Sequence, residues 1–332
     1  MDQDYISQSL EQEQNNKVFD DIDSWTTFTR DNFGEFFGVL FLNIRSIKKH
    51  FDEFLCYIEN SISNLNVLIL ADHLNVNISE WEFEMNRGLF FLNDYGCVEK
   101  LRTNRAGGGI MVYYKNNISV CQLHADFKHC ELLSLELKFN DISLLLIAVY
   151  RPPNADALLF LEELDAFLRG CTFKNVIFIG DINIDTTKFG AVSDAYENLM
   201  SKFGFMKKIS TYTREESRNG IMASSCLDHL YCRSRNINIA GSTILAKISD
   251  HYMLAGAFKC STTEEIRYNR KQNAFKCSTT EEIRYNRKQN SYDQGKFGER
   301  LNQLLTETAV NSFTNVDGLM WMAHSNAQLP KK

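Results

Sequence analysis

Asp181 and Asn183 stand two residues apart, just past an apolar run at 176–179 that breaks at Gly180. Such a run reads as a buried strand, too short for a helix. A strand that delivers a carboxylate and an amide at its exposed end can hold polar groups over a phosphate. Asp and Asn also end strands for conformational reasons alone, so this pair by itself fits both readings equally. Comparable groups follow other strand-like runs: Asn43-Ile44-Arg45, Asp72-His73, Tyr150-Arg151-Pro152-Pro153 and Ser249-Asp250-His251, with Asp228-His229 inside a short strand. Asn43 and Asp228 have a duller alternative as turn or strand-end caps and His251 one as a satisfied core histidine; His73 and His229 are the opposite case and read as structural. The triple glycine at 107–109 precedes a strand instead of a helix, which marks a turn or bulge and not a phosphate cradle.

The elements that must carry these groups follow from periodicity. Runs at 36–46, 66–70, 107–115, 131–139, 142–150, 176–179, 226–232 and 251–258 are strand-like. Phe51, Phe54, Leu55 and Ile58 recur at helical spacing, as do Tyr196, Leu199, Met200 and Phe203, and 157–168 reads as a third helix. The 131–150 stretch is a hairpin turning at Asn140-Asp141. The expected fold class is α/β: two packed, largely antiparallel or mixed β-sheets flanked by helices, a four-layer sandwich. One domain at 35–260 accommodates it. Residues 1–34, rich in Gln, Asn, Asp and Ser, read as a polar, loosely ordered leader. AFKCSTTEEIRYNRKQN at 257–273 recurs letter for letter at 274–290, so 261–290 reads as a linker carrying a recent duplication; architectural repeats drift and come in larger numbers. Residues 291–332 carry one helical stretch, with Phe297, Leu301, Leu304 and Leu305 on a face.

Composition narrows the class. Lys and Arg total 36 against 42 Asp and Glu, a net charge of −6, which argues against a protein held on nucleic acid by bulk charge. It leaves room for a nuclease, whose acidic metal site offsets basic loops. Nine cysteines without a CxxC pair fit neither a disulfide framework nor a zinc module and point to reduced thiols in cytosol or nucleus. The polar, acidic N-terminus is no signal peptide, and no apolar run approaches the length of a membrane span.

Taken in order, the motifs resemble the endonuclease/exonuclease/phosphatase superfamily, and more closely the apurinic-endonuclease-like domain of LINE-type (non-LTR) retrotransposon polyproteins. The resemblance spans 37–258 and rests on Leu42-Asn43-Ile44-Arg45-Ser46, Arg105-Ala106-Gly107-Gly108-Gly109, Tyr150-Arg151-Pro152-Pro153 and Gly180-Asp181-Ile182-Asn183. It continues through Thr213-Arg214, Ser224-Ser225-Cys226-Leu227-Asp228-His229 and Ser249-Asp250-His251. The tail, with IRYNRKQN, Trp321 and a closing Leu-Pro-Lys-Lys, is similar to the linker before reverse transcriptase, so the resemblance implies an element truncated before its polymerase or a host gene derived from one.

Cutting a phosphodiester needs a cation to neutralise charge, a base for water and donors for the phosphoryl oxygens. The resemblance implies that Asp72 and Asn43 hold Mg²⁺ (or Mn²⁺), with Asp250 completing the acidic site. It assigns His251 to the scissile phosphate or to the base, oriented by Asp228, and Asp181 to the attacking water. Asn183 and Tyr150 become phosphate donors. Arg105, Arg151 and Arg214 become DNA contacts, within a wider set of loop cations, Lys48, Lys49, Arg102 and Arg218. One departure is plain: Asp72 stands where the family carries Glu, an arm shorter by one methylene, roughly 1.5 Å. A ligand displaced that far can lose about a hundredfold in rate. The expectation is a Mg²⁺-dependent, monomeric DNA endonuclease that nicks one strand to leave a 3′-hydroxyl and uses no small-molecule cofactor. The alternatives are an inactive relic that binds nucleic acid or protein, and a phosphatase acting on a monoester or lipid headgroup.

Overall fold

The computed structural model describes residues 16–72, 88–102, 108–140, 142–218, 220–234, 237 and 239–259. His73, Arg105, the second copy of the duplicated segment and the tail helix lie outside them. The described chain falls within a single unit that runs to Cys260.

Alternation along the strands dictates the layering. In β2 (Phe36–Asn43), Phe37, Val39 and Phe41 face one way and Leu40 and Leu42 the other. The same split recurs in β8 (Ile142–Tyr150) and β9 (Val176–Asp181): Leu144, Leu146, Ile177 and Ile179 point inward, while Leu145, Ile147 and Phe178 point outward. A strand apolar on both faces must be covered on both. The inner faces meet to form the central core. The outer face of one sheet is covered by α1 (Ile22–Phe33) and α2 (Ile47–Ile58), that of the other by α3 (Ala157–Gly170) and α4 (Ala191–Lys202). This is the four-layer α/β sandwich expected from the sequence.

The first sheet adds β1 (Lys17–Phe19), β3 (Leu65–Ala71), β4 (Tyr95–Lys100), β5 (Ile110–Lys115), β14 (Ala240–Ile244) and β15 (Met253–Lys259), in the order β1-β14-β15-β2-β3-β5-β4. The second contains β6 (Ser119–Leu123), β7 (Glu131–Phe139), β10 (Met206–Lys207) and β13 (Asp228–Arg233), in the order β10-β13-β9-β8-β7-β6. A separate hairpin pairs β11 (Arg214–Arg218) with β12 (Ile221–Ser225). Three pairings are parallel, β1 with β14, β2 with β3 and β8 with β9; the rest are antiparallel. Among the described residues no helix is long and apolar enough to cross a membrane.

The polar leader needs a correction from Lys17 onward, where the chain forms β1 and α1. Asp21 caps α1 by accepting from the Ser24 N–H at 2.7 Å, and Gly34 closes it at φ 69°. The buried face of α1 is Ile22, Trp25, Thr26 and Thr29. Half of that stripe is threonine, which hides the helical period from a hydrophobicity reading.

Candidate active site

Register brings the polar groups to one rim. Parallel pairing sets Tyr150 opposite Asp181, antiparallel pairing sets Asp228 opposite Asp181, and β2 ends at Asn43 beside Ala71 of β3. Gly180 permits the close approach: a Cβ there would lie 1.9 Å from the Val149 carbonyl oxygen.

Across the two sheets, Asn43 Nδ2 donates to Asp181 Oδ2 at 2.8 Å. The Asn183 N–H donates to Asp181 Oδ1 at 3.0 Å, from a residue at φ 51°. His251 Nδ1 meets Asp228 Oδ2 at 2.8 Å, with both residues buried. Asp181, Asp228 and His251 can each offer an atom within 4.8 Å of the others, the kind of cluster a metal ion occupies. Asp228 Oδ1 is buried with no hydrogen-bond partner.

Electrostatics follow from burial. Desolvation first, then the Asp228 charge, pushes Asp181 up to about 7, against the opposing pull of His251, Asn43 and the Asn183 N–H. Burial alone would lower His251, yet the carboxylates of Asp228, Asp181 and Asp250 together raise it to about 9. The imidazole is therefore a cation at neutral pH. Tyr150 is pushed well above its ordinary range by burial, then by Asp72 and Asp181, so it stays a phenol and a donor.

Two further side chains fix this geometry. Thr213 Oγ1, fully buried, accepts from the Leu227 and Asp228 N–H groups, both at 3.0 Å, and so sets the start of β13. Ser249 Oγ donates to the Asn43 carbonyl at 2.7 Å and accepts from the His251 N–H at 3.1 Å, tying two parts of the site together. Both lie within motifs quoted above, but their signal is only adjacency to Arg214 and Asp250.

Other expected residues sit apart from that group. Asp72, at φ 50°, turns Oδ1 to the Gly108 N–H at 2.7 Å. Asp250 lies between Arg45 at 3.1 Å and Arg214 at 2.7 Å; burial would raise its carboxyl, but Arg214, His251 and Arg45 hold it low. The Arg151 guanidinium is buried and donates to the carbonyls of Ile182, Ala155 and Asn183 at 2.6, 2.6 and 2.8 Å, clamping the turn after β9. Asn183 Nδ2 returns a bond to the Arg151 carbonyl at 2.8 Å. Arg102 grips Glu131 through two bonds of 2.6 and 2.9 Å beside the Tyr150 ring. On the opposite face of β13, His229 packs between Tyr196 and the Cys226 carbonyl, and burial pushes it down to about 3.

This arrangement of strands and helices has counterparts among solved structures. The endonuclease domain of TRAS1, a telomere-specific non-LTR retrotransposon, superposes with a TM-score of 0.55 at 15% identity, covering 68% of this chain and 100% of its own. The AP endonuclease LMAP from Leishmania major superposes at 0.54 and 13% identity, covering 70% of this chain and 91% of its own. No family model and no curated protein matches the sequence. The chain thus shares the fold of these two endonucleases. Among them, the TRAS1 domain is the kind of protein that the motif order resembles.

Proposed function

We propose that this protein is a DNA endonuclease derived from a LINE-type retrotransposon, cutting one strand with Mg²⁺ to leave a 3′-hydroxyl. The observation that carries this reading is the buried Asp181–Asp228–His251 group, tied across the two sheets by Asn43. Asp181, raised to about 7, is suited to take a proton from water near neutral pH. That assigns the base to Asp181 and leaves the His251 cation to donate to a phosphoryl oxygen. Nδ1 is held by Asp228, which reserves Nε2 for the substrate. Tyr150 supplies a second donor to the phosphate. Asn183 fixes Asp181 through its N–H and keeps one amide hydrogen for substrate.

The donor set offers a hard divalent cation an open oxygen ligand: Asp228 is buried and its Oδ1 has no partner within the protein, while both Asp181 oxygens already accept hydrogen bonds. Asn43 and Asp72 are the further ligands that the motif resemblance supplies. Bound there, Mg²⁺ would neutralise phosphate charge and make water more acidic.

Nicking of supercoiled plasmid by the full chain, with Mg²⁺ and with EDTA, tests the reading. Wild type should relax the plasmid only with Mg²⁺, while Asp181→Ala should lose about a thousandfold or more in rate with an unchanged circular dichroism spectrum. Equal activity in wild type and variant would refute the assignment. A second reading, an inactive DNA-binding relic, draws on Asp72, whose short carboxylate is turned to Gly108. DNA binding without Mg²⁺-dependent turnover would favour it.

A further inference from the structure

The rim of the site is rich in carboxylates, and a phosphodiester brought to it needs a cation to hold it. Most arginines nearby are already committed. Arg151 is buried among carbonyls, Arg102 is paired twice to Glu131, and Arg214 joins Asp250 at 2.7 Å to Glu216 at 3.1 Å. Arg45 differs. Its side chain is 51% exposed, against 19% for Arg214, and its contact is with Asp250 Oδ1 at 3.1 Å. That oxygen makes no aligned hydrogen bond, so charge alone holds Arg45 there.

The backbone of Arg45 is built into the site. Its N–H donates to Asn43 Oδ1 at 3.1 Å, while the same amide reaches Asp181 through Nδ2. Arg45 adopts φ 61°, a left-handed conformation that costs a non-glycine residue stability and recurs where geometry serves a site.

Resting on the nuclease reading above, we propose that Arg45 is the phosphate-binding guanidinium of this site, with Asp250 as its resting partner in the absence of DNA. When Arg45 swings to a backbone phosphate, Arg214 stays on Asp250 Oδ2, so the carboxylate keeps one of its two cations. The guanidinium fork matches two phosphate oxygens at once. With the Arg45 side chain half exposed and no hydrogen bond in the pair, the contact exchanges partners readily.

Fluorescence anisotropy of a labelled duplex oligonucleotide with the full chain in EDTA, across a salt series, tests this without turnover. Arg45→Met should weaken binding by about tenfold and make the log–log salt slope shallower by about one. Arg45→Lys should keep the wild-type slope. Asp250→Asn, which frees both Arg45 and Arg214, should bind in EDTA no more weakly than wild type, and adding Arg45→Met to it should cost about the same tenfold. Unchanged affinity and slope in Arg45→Met would overturn the proposal while leaving the nuclease reading intact. So would an equal loss in Asp250→Asn, which would make Arg45 a brace for the 249–251 loop. Failure of the wild type to bind DNA at any salt would overturn both.

Discussion

A cation buried against a carboxylate makes stability depend on pH with a definite sign. The folded-state pKa of His251, near 9, lies above its ordinary 6.5, so the native protein holds a proton that the unfolded chain releases between those values. The stabilisation is complete below about pH 6.5 and fades as pH rises through about 9. In metal-free buffer, thermal melts from pH 6 to 10 should show this decline in wild type and a flatter curve in His251→Asn. Parallel curves would show that the pair contributes nothing. His229 works in the opposite sense. Held neutral by burial down to about 3, it contributes stability above about pH 6.5 that is lost as pH falls toward 3. The two histidines therefore erode the fold from opposite ends of the pH scale, though His229 is the strand neighbour of Asp228, the partner of His251. Thr213 is the other residue of consequence at this scale. Thr213→Val keeps the shape but strands two buried N–H groups, and should lower unfolding free energy by about 2 kcal/mol in urea titrations.

Strand pairing, not loop shape, carries the reacting groups, and Gly180 shows how narrow the tolerance is. Gly180→Ala places a methyl carbon against the Val149 backbone, which cannot yield without parting β8 from β9. It should destabilise by on the order of 3 kcal/mol or more in equilibrium denaturation, and nicking should fall with it because Tyr150 and Asp181 are partners across that pair. These elements were readable in advance because they are long and continuously apolar. β2, β3, β7, β8, β9 and all but one of the helices announce themselves by periodicity. The short or polar pieces did not: β10 has two residues, β6 is largely exposed, and β11 reads Arg-Glu-Glu-Ser-Arg. They are held by neighbours and not by their own pattern. The same contrast governs the site. Motif order named Asp181, Asp228, His251 and Asn43, which register then brings together. It could not show that Arg151 turns inward, that Asp250 is shared by two arginines, or that Thr213 and Ser249 hold the ends. Those are matters of side-chain direction, which spacing along the chain does not record.

At the scale of the molecule, the segment before β2 belongs to the fold. Trp25 and Ile22, each 1% exposed, help to cover the outer face of the first sheet, and β1 extends that sheet at its edge. A protein begun at residue 35 should therefore melt well below one begun at residue 16, by roughly 10 °C or more, or collect as aggregate through the uncovered face. Equal melting temperatures would show the segment to be dispensable.

The Asn43–Asp181 bond joins one sheet to the other, and this gives the sandwich a second office. Phe41 and Ile179, each two residues before a member of that bond, belong to the layer between the sheets. The filling of that layer thus sets the gap across which the reacting groups face each other. Misplacement of such groups by about 1 Å costs on the order of a hundredfold in rate. On the nuclease reading, the rate of cutting then becomes a gauge of how well the interior is filled. A slight loosening of the central packing, too small to register in a melting curve, would already be legible as a slower cut.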